Sequence, residues 1–541
     1  MSQLEGSHRL ALPTPDWLPR LPLSQWILAL GLAIVIATLP GLWTLPGLVV
    51  LAAALVVLMK PEAAVYLLTL SVPLGYLLEI EGDEFSVTPT EAIVGMMVIG
   101  WALRALGRRS LVIPLTPLLV PLVGMLAVVA FSGNHAVAAG LTLKESLKWG
   151  ELLLVYLFVI AEMGSLRHAL GLLSMLFLGA GIEALIGAAQ FFFNLGPDFY
   201  SVGRFMRAYG TFEQPNPYAG YLGMIIPLAF GLVLAQPKGR WRNWTLIVLA
   251  MAVAAVGMSL SRGAWMGISL AIAAMMLFWS HHTRILLAAG TLAATPLAAL
   301  AYMNLLPAEL ATRMATVLDY FRFVDVTREA VTPENFALIE RMAHWQAALD
   351  MIAASPLLGM GAGNYPAVYE WFAVRGWNEA LGHAHNFYLN IAAETGLVGV
   401  AVYLSIFIVA LLHTVKALLQ GARASCPPRV VGQGINPCRP AVVGEVVGDG
   451  QRRASMSPGR KGTSPFPTGR GGGPVGGRHS QAIWRGILLG VLGSLVAVCV
   501  HNMFDSLFVH GMSIQLGMIL ALGQLSATAL SQPLLRSQSS L

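Results

Sequence analysis

The chain has 541 residues, of which 56% are hydrophobic and 11% are charged, and its formal net charge is +6. Soluble domains carry about 25% charged residues, so this composition excludes an ordinary soluble domain and predicts an all-α polytopic membrane protein. Three cysteines are too few for a disulfide framework.

Apolar runs near the ~20 residues that span a bilayer recur along almost the whole chain. We count about fourteen such runs. The region 24–60 and the segment 149–163 are the weakest of them, so a total of twelve or thirteen is the alternative. The runs fall roughly at 24–43, 46–60, 63–79, 90–107, 112–132, 149–163, 168–193, 218–236, 244–259, 264–279, 284–303, 386–416, 483–503 and 511–529.

Basic residues between the runs predict the orientation, because Lys and Arg concentrate in cytoplasmic loops. With the N-terminus inside, clusters such as 104–109 and 238–242 also lie inside, and the acidic stretch Glu79–Glu84 lies outside. We therefore expect a multi-pass protein of the cytoplasmic (inner) membrane with both termini in the cytoplasm. Membrane lipids are its expected surroundings, and no nucleic-acid partner or cofactor is expected.

The expected division of the chain follows from these spans. It runs through a cytoplasmic tail (1–23), transmembrane helices that include an external arginine loop at 194–217 (24–303), a large external loop (304–385), a further span (386–416), a basic cytoplasmic insertion (417–482), the last spans (483–529) and a tail (530–541).

The large external loop has a periodic segment in its middle. Apolar residues recur at helical spacing from Phe336 to Ala354, and Ser355-Pro356 ends the pattern. A glycine-rich loop, Gly359–Gly363, follows. It predicts either a tight turn or a phosphate cradle, and the turn is favoured because no Lys-Ser/Thr pair follows as a phosphate-binding loop requires.

The basic insertion differs in composition from the rest of the chain. Residues 421–481 hold nine Lys or Arg residues against two acidic ones, so this segment outweighs the +6 of the whole chain. Its Gly, Pro and Ser content predicts an unstructured linker. Contact with anionic lipid or nucleic acid is the alternative. Cys426 and Cys438 lack a second metal-ligand pair, which disfavours zinc.

Three groups of ionisable residues lie on the predicted outer face. The arginines among them are unexpected there, because Lys and Arg concentrate in cytoplasmic loops, and the histidines border a span. Arg204 and Arg207 precede one span, Arg262 sits in a short hairpin between two spans, and His383 with His385 precedes another. Arginine matches phosphate bidentately, and histidine accepts protons near neutral pH. The pattern is typical of a site for a lipid-linked phosphate or pyrophosphate. The alternative is that each arginine pairs with an acid or a headgroup and each histidine caps a helix.

Other polar residues leave alternatives open. Glu79, Glu81 and Asp83 could bind Mg²⁺ or Mn²⁺, but a solvated acidic loop is favoured and no metal site is predicted. Glu183 and Gln190 lie within a span and predict either satisfied packing or a cavity lining. A further outward lip either reaches the same cavity or caps helices, through His501, Asn502, Asp505 and His510.

Four patches in the stretch 200–400 resemble the O-antigen ligase/polymerase family of bacterial membrane glycosyltransferases. They are Gly-Thr-Phe-x-x-Pro-Asn-Pro at 210–217, Ser-Arg-Gly-Ala-Trp at 261–265, the stretch from Arg341 to Tyr365, and the pattern His-Asn-x9-Gly-x-x-Gly that starts at His385. Each patch is weak alone, and their order between spans makes the likeness specific. The spans before 150 match only in hydropathy.

The resemblance implies a GT-C-like helical fold and metal-independent, inverting glycosyl transfer on the outer face. The donor would be a glycan on undecaprenyl pyrophosphate, and the acceptor a lipid-linked glycan, lipid A-core or a protein side chain. It implies that His385 is the base, that Arg262 holds the pyrophosphate and that Arg204 or Arg207 assists.

The resemblance also leaves His383 open as an alternative base. Further contacts with substrate are expected from Asn216, Arg341, His383 and Asn386. A transporter of a small anion such as bicarbonate, or of a glycan precursor, is the alternative function. It is disfavoured because the ionisable groups sit at the outer lip and no internal repeat is visible.

Overall fold

A computed structural model describes residues 52, 54–75, 88–202, 204–302, 325–332, 335–424 and 474–531. The described residues form these helices: α1 (Glu62–Leu74), α2 (Pro89–Arg108), α3 (Leu119–Ser132), α4 (Ala139–Glu162), α5 (Leu166–Phe193), α6 (Pro215–Ala235), α7 (Arg240–Ser259), α8 (Arg262–Trp279), α9 (His281–Tyr302), α10 (Phe336–Ala354), α11 (Tyr365–Phe372), α12 (Phe387–Ala424), α13 (Pro474–His501) and α14 (Met512–Ser531).

Within these ranges, strands are confined to a small antiparallel ribbon in the loop between α5 and α6. β1 (Ser201–Val202) pairs with β2 (Phe205–Met206). Single-turn 3₁₀ helices occur at Gly133–His135 and Asp198–Tyr200.

Eight helices of the described chain are long and apolar enough to cross a membrane. They are α2, α5, α6, α7, α8, α12, α13 and α14, and α1 and α3 are shorter apolar helices. The prediction of an all-α polytopic membrane protein is confirmed. Each predicted run from 63–79 onward overlaps a helix, whereas 24–43 and most of 46–60 lie outside the described residues.

The centre of the bundle is formed by α6, α13 and α14. About four fifths of their apolar windows are buried (83%, 78% and 78%), compared with 22% for α8. Glycines allow α6 and α13 to approach closely, since a Cβ on Gly231 would lie 2.2 Å from the carbonyl oxygen of Gly486. Gly486 and Gly490, two small residues one turn apart on α13, both pack against the backbone of α6.

Outside this centre, α10 and α11 pack on the first part of α12. The predicted helix from Phe336 to Ala354 is confirmed with both ends as expected. α12 is broken at Gly396, whose φ of 66° and ψ of −172° are not helical. A Cβ there would lie 2.2 Å from the Leu357 backbone, so the break and the close approach of the α10–α11 connection both require glycine.

The loop Gly359–Gly363 docks on this break. The amide of Met360 donates to the carbonyl of Ala393 (2.9 Å), and that of Gly361 donates to the carbonyl of Glu394 (2.8 Å). Because the protein itself uses these amides, the loop is a tight turn and not a phosphate cradle.

Several predictions concern residues whose placement is not described. They are the acidic stretch Glu79–Glu84, the first part of the large external loop at 304–324, Cys426 and Cys438, and most of the basic insertion.

Candidate functional site

The arginine loop between α5 and α6 is held by two buried polar residues of α5. Glu183 accepts hydrogen bonds from the Thr211 amide (3.1 Å) and hydroxyl (2.8 Å). The Gln190 amide group bonds both the N–H and the C=O of Gly210, each at 2.7 Å. Glu183 and Gln190 therefore have satisfied hydrogen bonds inside the protein and are not free to line a cavity. Their bonds fix the loop and so position the adjacent arginines.

The two arginines of this loop have different surroundings. Arg207 is partly buried, donates through Nε to the carbonyl of Ser259 at 2.9 Å and places Nη2 3.5 Å from Asn216 Oδ1. Arg204 is exposed and stacks over the ring of Phe205, with Cζ 4.6 Å from the ring centroid. The geometry therefore separates two arginines that the sequence leaves equivalent.

A cleft of about 230 Å³ collects arginines from three parts of the chain. Arg207 comes from the loop before α6, Arg262 is the first residue of α8, and Arg341 lies on α10. Asn216, His501 and Asp505 also line this cleft. We call it the arginine cleft. It brings together four of the residues expected to act on or bind substrate, namely Arg207, Asn216, Arg262 and Arg341, and it does not include Arg204.

Asp505 is the buried acid of this cleft. Its side chain is 3% exposed, and its carboxylate accepts from Asn216 Nδ2 at 2.6 Å and from the Ser506 amide at 2.9 Å. Burial alone would favour the neutral acid. The neighbouring imidazoles of His385 and His383 and the charge of Arg341 outweigh burial, so the pKa of Asp505 lies well below its ordinary value. Asp505 is therefore an anion at neutral pH.

Both histidines of the predicted pair face Asp505. Nε2 of His383 lies 3.6 Å and Nδ1 of His385 lies 3.8 Å from Asp505 Oδ1. These separations exceed a hydrogen bond, so the attraction is electrostatic. The two rings meet edge to face with centroids 4.5 Å apart.

His385 occupies a strained backbone position. Its φ is 49°, in the left-handed region that costs a non-glycine residue about 1–2 kcal/mol. The chain is held there from both sides. The Ala384 amide donates to Asn390 (3.1 Å), and the Phe387 amide donates to the carbonyl of Asn502 (2.8 Å). No described atom lies within hydrogen-bond distance of the buried Nδ1 of His385.

Asn386 caps α12. Its Oδ1 accepts from the amides of Tyr388 (3.0 Å) and Leu389 (3.1 Å). Such a cap satisfies two amides that the first turn of a helix leaves without intrahelical partners. The structure thus shows a direct reason for an asparagine immediately after His385.

His383 has a defined tautomer. Its Nδ1 accepts a hydrogen bond from the His385 amide at 3.0 Å, so the proton of the neutral ring is on Nε2, which faces Asp505. Burial lowers the pKa of His383 to about 4, against the opposing attraction of Asp505. At neutral pH His383 is a neutral ring whose accessible nitrogen already carries a proton.

A third histidine of the cluster, His344 on α10, was not singled out from the sequence. Its ring stacks on Tyr369 at 4.7 Å and meets His385 edge to face at 5.6 Å. Burial, and then the nearby His385 and His383, lower its pKa to about 4. His344 sits one residue before Trp345 in a helix read as amphipathic, and nothing in that periodicity marks it as different from a core residue.

The described residues include one group with metal-ligand chemistry, formed by His383, His385 and Asp505, whose ligand atoms lie within 4.8 Å of one another. A metal on Nε2 of His383 would require that nitrogen to lose its proton. The ring would then have to give up the hydrogen bond that its Nδ1 accepts from the His385 amide. The donor set therefore fits a His–Asp cluster held by electrostatic attraction better than a metal centre.

The lip after α13 divides in two. His501 and Asp505 line the arginine cleft. Asn502 instead bonds the Tyr403 hydroxyl and the Leu507 amide, both at 3.1 Å, and His510 packs edge to face on Phe212. Of the four polar residues there, two therefore reach the site and two support the fold.

Family comparison agrees with this geometry. Residues 246–404 match the family model described as O-antigen ligase. This segment is therefore similar to an O-antigen ligase domain. It contains Arg262, Arg341, His383 and His385, whereas Arg207 and Asp505 lie outside its bounds. The match covers 159 of the 541 residues, so this part of the chain is similar to the O-antigen ligase family, and the similarity supports a function in glycan transfer at a membrane. A search of curated proteins found no match.

Proposed function

We propose that this protein transfers a glycan from an undecaprenyl-pyrophosphate donor to a saccharide or lipid A-core acceptor at the outer face of the cytoplasmic membrane. One observation carries the proposal. Arg207, Arg262 and Arg341, from three separate elements, line one cleft together with the buried Asp505 that faces His383 and His385.

The arginine cleft suits a pyrophosphate. Guanidinium groups stay charged and form paired hydrogen bonds with phosphate oxygens. Their charge stabilises the leaving pyrophosphate as the bond to the sugar breaks, so the cleft can supply the charge that a metal supplies in other transferases. The transfer we propose is accordingly metal-independent.

His385 is the proposed base. With Nδ1 directed at the Asp505 carboxylate, its Nε2 remains to take a proton. The acceptor hydroxyl oxygen attacks the anomeric carbon of the donor sugar, and its proton passes to Nε2. The bond between that carbon and the pyrophosphate oxygen breaks, undecaprenyl pyrophosphate leaves, and the anomeric configuration inverts. His383 is less suited, because its Nδ1 is occupied and its low pKa makes it a weak base.

Apolar side chains beside the arginine loop support a lipid-borne donor. Phe192, Phe193 and Phe199 are 63%, 74% and 77% exposed, and the half-exposed Val202 lines the cleft itself. An exposed group of apolar side chains of this kind marks a surface for lipid or another apolar partner. A polyprenyl chain in the bilayer would thus lie near the arginines that bind its pyrophosphate.

The test is transfer by the purified full-length protein. Undecaprenyl-pyrophosphate glycan and an acceptor are supplied in detergent or liposomes, in the presence of a chelator, and the product is followed by gel mobility and mass spectrometry. We expect glycan transfer with release of undecaprenyl pyrophosphate. Absence of transfer, together with flux of a small anion such as bicarbonate into glycan-free liposomes, would favour a transporter instead.

A further inference from the structure

A second pocket, of about 140 Å³, is lined by His383 and lies next to the arginine cleft. Asp505 lines the arginine cleft and His383 lines the second pocket. The two residues belong to the same cluster, and Nε2 of His383 lies 3.6 Å from Oδ1 of Asp505. We call the second pocket the α4 pocket, because α4 forms one of its walls. A transferase needs two substrates that meet at the reacting groups, and the two cavities meet there.

The polar lining of the α4 pocket is mixed in charge. Lys148 Nζ lies 2.5 Å from Glu145 Oε1 on the same helix. Glu394 and Asn390 face them from α12, and Glu394 Oε1 accepts the Tyr365 amide at 3.3 Å. The ammonium of Lys148 is already paired with Glu145 and offers little free positive charge to a pyrophosphate, whereas carboxyl, amide and ammonium groups together offer acceptors and donors to hydroxyl groups.

The remaining wall of the pocket is aromatic. Phe508 stacks on Phe387 at 4.5 Å and on Trp149 at 5.3 Å, with interplanar angles of 12° and 27°. All three rings line the pocket. A sugar ring has an apolar C–H face and a rim of hydroxyls, and an aromatic wall opposite a polar wall matches both.

The pocket opens to the surface of the protein beside Lys148 of α4. The side chain of Lys148 is 43% exposed and that of Glu145 is 25% exposed. This exposure gives a saccharide a path into the pocket beside Lys148.

The structure assigns the α4 pocket as the acceptor subsite, where Glu145, Lys148, Asn390 and Glu394 bind the hydroxyls of a lipid-linked saccharide and Trp149 contacts its ring. That the bound saccharide is the acceptor of a transfer reaction rests on the proposed function. The binding of a saccharide in this pocket does not depend on transfer and can be tested without it.

Equilibrium binding tests the subsite. Lipid-free oligosaccharides are released by mild acid from the source cell's polyprenyl-linked glycan and from its lipid A-core, and each is titrated calorimetrically into the purified full-length protein. We expect at least one to bind, with a Kd about tenfold or more higher for Lys148→Met. Lys144→Met, an exposed lysine one turn earlier on α4, should bind as the wild type does. Lys148→Arg, which keeps the charge beside Glu145, should retain most of the affinity.

The outcomes separate the two proposals. Binding of neither oligosaccharide by the wild type, or equal affinities for Lys148→Met and Lys144→Met in proteins with the same melting temperature, overturns the subsite. If Lys148→Met does not fold, Asn390→Ala and Trp149→Phe take its place with the same expectation. Saccharide binding that depends on Lys148 in a protein without transferase activity would instead overturn the proposed function and leave the binding site standing.

Discussion

Two cavities flank the His383–Asp505 pair, and they differ in charge and in how the chain builds them. The arginine cleft takes three guanidinium groups from loops and helices far apart in sequence. The α4 pocket balances Lys148 against Glu145 and Glu394 beside aromatic rings. The difference teaches that one face of the histidine cluster suits a polyanion and the other a neutral, hydroxyl-rich molecule, as a donor and an acceptor would require.

The largest effect is expected at the proposed base. His385→Ala removes the proposed base, so the transfer rate should fall by about 10²–10⁴-fold while both substrates still bind. Transfer is measured with purified variants at equal amounts of folded protein. His282→Ala, at an exposed histidine of α9, is the control and should keep the wild-type rate. Wild-type transfer by His385→Ala would assign the base elsewhere.

The arginine cleft is tested by two variants of one loop. Arg207→Ala removes a cleft guanidinium and should lower kcat/KM for the donor by roughly 10–100-fold, the value of one charge-assisted hydrogen bond. Arg204→Ala removes an arginine that stacks on Phe205 outside the cleft and should change kcat/KM less than threefold. Initial rates at varied donor concentration give both values. A larger loss for Arg204→Ala would exchange the two assignments.

Asp505 is expected to act through the histidines. Asp505→Asn keeps the shape and the neighbouring amide of Asn216 but removes the negative charge that faces His383 and His385. We expect kcat to fall about tenfold, with KM for both substrates unchanged, as for loss of a group that orients a base. Asp350→Asn, at an exposed acid of α10, is the control. A loss confined to KM would show that Asp505 contacts substrate and does not orient the base.

The smallest effect concerns stability in acid. The folded protein holds His383 and His344 with pKa values of about 4, below the ordinary 6.5. The unfolded chain therefore binds more protons between these values, and stability should fall as the pH drops from about 6.5 towards 4. His383→Gln should flatten this dependence in melting curves recorded at pH 7 and pH 4.5. An unchanged slope would mean that His383 is protonated in the folded state.

Hydropathy and periodicity were enough to predict most of the fold. The helix Phe336–Ala354 is predicted with both ends because an apolar stripe fills it and Ser355-Pro356 stops it. Hydropathy places a helix boundary wrongly where charged residues belong to the same helix as an apolar run. Hydropathy starts the predicted span at residue 149, but the helix begins at Ala139, and the charged residues that hydropathy trimmed away are those of the α4 pocket, Glu145 and Lys148.

The sequence predicts the kind of site, arginines with histidines, but only some of the residues that form it. Spacing cannot separate Arg204 from Arg207, because the separation depends on the β1–β2 ribbon and on its anchoring by Glu183 and Gln190. From the sequence, Asp505 is equally compatible with a helix cap and with a site residue. The contact that decides between them, with Asn216, joins residues 289 positions apart and is not visible in the sequence. Such long-range contacts follow from packing, which a single sequence does not display.

The most direct measurement varies donor and acceptor separately for wild type, Arg207→Ala and Lys148→Met in one transfer assay. If the two cavities bind different substrates, Arg207→Ala should raise KM for the donor and leave KM for the acceptor unchanged, and Lys148→Met should do the opposite. If both variants raise the same KM, or neither changes any KM, the two cavities do not divide donor from acceptor.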